Sequence, residues 1–191
     1  MNSALKIIFL FCITFLVSCM AHKAFSTIES SRYDEKSNLT TYTTFPLGSV
    51  QIPGKWVKTS FNKVSSQQNF RNADSVLTAV AINKSTAYPF YKPNMNSNTI
   101  VKEMYEWDSK YLADHTNGNR TLIEQDTLNH FIVWQITGML NDFGVDNHYL
   151  FGSENGIVYT VFISTKKWTN EQKIDFVKTV YKNKTVGACC N

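Results

Sequence analysis

Asn155-Gly156 stands between two apolar-rich runs, residues 145–152 and 157–164, and restricts the fold more than any other segment. A two-residue type I′ turn needs positive φ at both central positions, and Asn-Gly meets that demand at least cost. The two runs must therefore pair antiparallel. Upstream, residues 130–140 are long and mostly apolar, and Asn141-Asp142-Phe143-Gly144 reads as a turn back into residues 145–152. Residues 120–127 alternate and lead in, which predicts a four-strand meander. With a turn centred near residues 142–143, His148 should face Thr137 and His130 should face Asn155.

Two helices flank this meander. Ile100, Met104, Trp107 and Tyr111 recur at helical spacing, with Val101, Tyr105 and Leu112 beside them. Ser97 or Asn98 is placed to cap the start, and Asn117-Gly118 to end the helix. Thr169 and Gln172 form a capping box for a helix to Lys182, whose buried stripe is Ile174, Val177, Val180 and Tyr181. Before the first helix, strands are predicted at residues 43–45, 48–52, 67–71 and 75–83. Residues 84–97 hold Pro89 and Pro93 and read as a loop. The expectation is an α+β sandwich: an antiparallel sheet of six to eight strands, with helices after the fourth strand and at the C-terminus.

The N-terminus carries an address. Lys6 precedes an apolar run over residues 7–17, too short for the roughly 20 residues that span a bilayer. Leu16-Val17-Ser18-Cys19 then resembles the lipobox of bacterial lipoproteins, which implies cleavage at Ser18–Cys19 and lipidation of Cys19. Met20 after the cysteine implies outer-membrane delivery, facing the periplasm. An ordinary secretory signal cut near Ser18 or Ala21 is the other reading. Residues 1–18 are thus expected to be the signal and 19–44, polar and without apolar period, a tether. Residues 45–183 form one domain and 184–191 a flexible tail holding Cys189 and Cys190.

Within that domain, Val50-Gln51-Ile52-Pro53-Gly54-Lys55-Trp56, the helix ending at His115, the Asn155-Gly156 meander and the closing helix to Tyr181 together resemble the PsbP-like and Mog-type family. The resemblance implies an assembly or docking role with a protein partner.

The residues themselves exclude more chemistry than they offer. Net charge is +4 from scattered lysines, which is no footprint for nucleic acid. None of His22, His115, His130 and His148 has metal-ligand spacing to another, so no metal and no cofactor is expected. Gly152-Ser153-Glu154-Asn155-Gly156 joins two strands and is a turn, not a nucleophile elbow. Glu103, Glu106 and Asp108 read as a solvated helix face, with Glu106 paired to Lys110.

Aromatics make up 14% of the chain. Tyr88, Phe90 and Tyr91 lie on the proline-bounded loop, and either form a contact site or fold down to cap the sandwich. Trp107, Tyr111 and Trp134 are core residues or the lining of a ligand cavity. The favoured function is a membrane-anchored, non-catalytic binding module with an envelope protein partner. Alternatives are an immunity protein against a delivered toxin, a two-carboxylate envelope hydrolase, or a carrier of a small apolar ligand.

Overall fold

The computed structural model describes residues 27–140 and 143–187. The expected signal and lipobox, with Cys19, lie outside the described residues, as do His22, Asn141, Asp142, Cys189 and Cys190.

The described chain holds eleven strands in two antiparallel sheets and two α-helices. Strands β1 (Ile28–Asp34), β2 (Leu39–Phe45), β3 (Gly48–Pro53) and β11 (Lys184–Val186) form the smaller sheet in the order β1-β2-β3-β11. The larger sheet takes β4 (Val57–Asn62), β5 (Gln67–Arg71), β6 (Leu77–Lys84), β7 (Asn119–Asp126), β8 (Phe131–Leu140), β9 (Phe143–Glu154) and β10 (Ile157–Ser164). Its spatial order is β4-β5-β6-β10-β9-β8-β7. Helix α1 (Ser97–Thr116) sits between β6 and β7 in sequence, and α2 (Asn170–Lys182) between β10 and β11.

This corrects the expected fold. There are two sheets rather than one of six to eight strands, and the first helix follows the sixth strand rather than the fourth. The two strands missed before that helix are β1 and β4. Every residue of β4 is exposed, so it carries no apolar signal to read.

Residues 28–44 fall within the expected tether and instead form a hairpin, β1 with β2, that runs on to Phe45. Polar residues fill the inward positions of β2: Thr40, Tyr42 and Thr44 alternate with partly exposed neighbours. The buried Thr40 hydroxyl donates to the Gly54 carbonyl at 2.8 Å and accepts from the Trp56 amide at 3.0 Å. A threonine can be interior when its hydroxyl is satisfied this way. At the other end, residues 184–186, expected to be flexible, pair with β3.

The meander is as expected from Asn155-Gly156, both at positive φ. Its neighbouring register is two residues tighter than expected: His148 faces Gln135, because β8 and β9 pair out to Leu140 and Phe143. The long apolar runs follow from burial on both faces. Ile132, Trp134 and Ile136 of β8 point to α1, with Tyr149 and Phe151 of β9. Phe131, Val133 and Leu150 point the other way, into a core shared by α2 and the smaller sheet. That core includes Tyr42, Val50, Ile52, Phe70, Val177 and Val180.

Helix ends follow their chemistry. The Thr169–Gln172 capping box is formed. Asn96, one residue before the expected cap, accepts from the Thr99 amide at 2.9 Å. Asn117 ends α1 in the left-handed region. Glu106 pairs with Arg120 at 3.1 Å rather than with Lys110, which pairs with Asp114 at 2.9 Å.

Candidate functional site

Helix α1 packs on β8 and β9, with lesser contact to β7, and so covers only part of its sheet face. Toward β6 and β10 the same face has no helix over it. The loop after β6 fills part of that space, and a pocket of about 340 Å³ remains. Asn83 and Thr160 come from the sheet, and Met104, Trp107, Asp108 and Tyr111 from α1. Ala87, Tyr88 and Pro89 close one side, and the β4–β5 turn, residues 64–67, another.

The aromatic wall is an ordered stack. Tyr88 and Phe90 lie nearly parallel, with ring centres 5.4 Å apart, and both meet Trp107 at 6.0 Å. Asn83 donates to the Tyr88 hydroxyl at 3.2 Å, which fixes the ring at the sheet end. Phe90 and Tyr88 pack against the core beneath α1, and Tyr91 is half-buried outside the pocket lining. The loop therefore folds down over the sandwich edge, and its aromatics do not form a free outward patch. Trp107 and Tyr111 are 43% and 55% exposed, so their place on the apolar stripe does not make them core. Trp134 is fully buried, stacked on Tyr149 at 4.6 Å, and does not line the pocket.

Asp108 is the residue that sequence reasoning missed. Reading it with Glu103 and Glu106 as a solvated face overlooked that it follows Met104 by four residues, on the buried stripe. Burial pushes its carboxyl up to about 6. Burial likewise raises the Tyr88 phenol to about 12, despite the Asn83 hydrogen bond that works against it, and the Asp108 charge adds to the rise. Asp108 is the only acidic residue in the lining, and no Lys, Arg or His joins it.

A second polar group lies on the opposite side of the sheet. Lys173 of α2 is only 2% exposed, and its ammonium donates to Asp146 at 2.9 Å. Gln135 donates to the other Asp146 oxygen at 2.7 Å. Burial works to raise the Asp146 carboxyl, but these two hydrogen bonds and the Lys173 charge outweigh it and hold the group below its usual range. His148 is fully buried beside them, and neither ring nitrogen has a hydrogen-bond partner. Burial and then the Lys173 charge push its pKa down, with Asp146 opposing. This cluster joins α2 to β8 and β9.

The other histidines are accounted for locally. His130 contacts the Asn98 side chain at 2.9 Å and His115 the Tyr111 carbonyl at 2.7 Å. Among the described residues, no three of His, Cys, Asp and Glu gather as metal ligands. Among them, too, no helix is long and apolar enough to cross a membrane.

No family model and no curated protein matches the chain. Among solved structures it is similar to the solution structure of cyanobacterial PsbP from Synechocystis sp. PCC 6803, at 13% identity and a TM-score of 0.49, over 90% of this chain and 99% of that one.

Proposed function

We propose that this protein is a non-catalytic binding module, held at a membrane through lipid on Cys19, and that the pocket beside α1 is its working site. The observation that carries the reading is a concave, aromatic-walled space with one desolvated acid, Asp108. Such sites, apolar with few polar groups, are the usual form of ligand pockets. A two-carboxylate hydrolase needs a second acid roughly 5–10 Å from the first, and the lining supplies one. An oxyanion site or nucleophile–base pair would need further groups that the lining lacks.

The anchor rests on the lipobox alone. Cys19→Ala is expected to abolish incorporation of labelled palmitate; persistent labelling would remove the anchor from the reading. The site is tested by photo-crosslinking in the intact envelope from a benzophenone amino acid at the exposed Tyr111. One adduct of defined mass, lost on Trp107→Ser, is the expected result. Adducts that are unaffected by Trp107→Ser would place the working surface elsewhere.

A further inference from the structure

We propose that the pocket takes a small organic monocation, a protonated amine or quaternary ammonium on a compact apolar body. The inference rests on the pocket being the working site and names its ligand class. Trp107, Tyr88 and Tyr111 present π-systems to one space that also holds the Asp108 carboxyl. A cation within about 6 Å of such a ring is attracted by its quadrupole, by about 2 kcal/mol once water is excluded. Among the described residues Asp108 has no hydrogen-bond or ion-pair partner, and burial alone shifts its carboxyl, so its charge is left for a ligand to neutralise.

The alternatives fit less well. An anion would meet Asp108 with no cationic side chain in the lining to offset it. A neutral apolar ligand would strip water from Asp108 without replacing its interactions, and an unpaired buried charge is costly. A cation gains from the same burial, since its attraction to the carboxylate grows as water leaves. The volume of about 340 Å³ lies at the lower end for ligand cavities, which restricts the ligand to a compact one. Asn83, Thr160, Ser65 and Ser66 add polar groups at the floor and rim for a hydroxyl or amine hydrogen.

Choline and its neutral isostere 3,3-dimethyl-1-butanol are matched probes, differing in a quaternary nitrogen against a carbon. Calorimetric titration of the full-length protein in a neutral maltoside detergent at pH 7.5 is expected to show choline binding at least about tenfold tighter, a difference of about 1.4 kcal/mol. Asp108→Asn should erase that preference, weakening choline binding and strengthening that of the alcohol, which no longer strips water from a charge. The unmodified protein supplies an independent measurement. Choline affinity should fall about tenfold per unit as pH drops well below the Asp108 value of about 6, while alcohol affinity does not fall. Tyr88 and Tyr149, whose phenols feel Asp108, are both pushed up and remain neutral throughout. Because the His115 ring lies 4.0 Å from that of Tyr111, the same series on Asp108→Asn, expected to lose the fall, assigns it to Asp108. Equal affinity for the two probes would overturn the cation assignment while keeping the pocket as a ligand site. No binding of either probe at tens of millimolar would overturn the assignment and the proposed site together.

Discussion

Asp108 and His148 are both held against their preferred charge, on opposite sides of one sheet, and they respond to pH in opposite senses. The folded-state pKa of Asp108 is raised from 3.8 to about 6. Its contribution to stability is fully present below 3.8 and is lost as pH rises through about 6. Asp108→Asn is therefore expected to raise stability by about 1–2 kcal/mol at pH 7.5, and by nothing measurable near pH 3.5. His148 has a lowered folded-state pKa, so the unfolded chain binds the proton more readily once pH falls below 6.5. Stability should decline through that window on acidification, and His148→Leu should flatten the decline. Urea midpoints measured at intervals from pH 4 to 8 separate the two. An unchanged profile in His148→Leu would mean that the ring is not kept neutral by its surroundings.

Gly152 is a different kind of constraint. The Tyr181 ring of α2 occupies the space that a Cβ on Gly152 would need. Close approach of helix to sheet here lets the Tyr181 hydroxyl donate to the Asn129 carbonyl at 3.0 Å. Overpacking of this sort costs about 1–3 kcal/mol, so Gly152→Ala should lower the urea midpoint clearly. Tyr181→Phe, which keeps the ring and loses one hydrogen bond, should cost about 1 kcal/mol. If the alanine variant proved no worse than the phenylalanine one, α2 would have to sit further from β9.

At the scale of elements, the loop after β6 is the part for which sequence leaves two readings open and tertiary packing favours one. Pro89 and Pro93 marked it as irregular, and its three aromatics carried no period that says which way they point. Tertiary contacts supply the direction: Phe90 is held between Tyr88 and Trp107. Phe90→Ser is accordingly expected to destabilise the protein by about 2–4 kcal/mol, a loss visible in thermal unfolding. Little change in the melting temperature would restore the loop to an outward contact surface. The helices were more legible, because their caps are local. Thr169 and Gln172 satisfy each other's backbone within one turn, whatever packs on the other side.

For the whole molecule, the smaller sheet is what turns a seven-stranded sheet with two helices into a closed body. Its residues Tyr42, Leu47, Val50 and Ile52 share one buried cluster with Phe70, Tyr159, Val177 and Tyr181. Residues 28–45 are part of this body, so deletion of residues 20–45 is expected to leave a protein without a cooperative thermal transition. A tether would be dispensable: retention of a sharp transition after the deletion would return that segment to the role its composition implied.

The sequence alone determined the features whose cause lies within a few residues: the Asn155-Gly156 hairpin, both helices with the Asn117-Gly118 end of the first and the Thr169–Gln172 cap of the second, and the strands buried on both faces. It also determined that the loop at residues 84–97 breaks regular structure. The tertiary structure alone decided which polar residues are interior. Thr40 in β2, Lys173 in α2 and Asp108 in α1 occupy inward positions that an apolar pattern cannot flag. A polar side chain becomes interior through a partner, or a ligand space, contributed by a segment far away in the chain. For Thr40 that partner is the Gly54–Trp56 backbone, for Lys173 it is Asp146, and for Asp108 it is a pocket assembled from four separate stretches of chain.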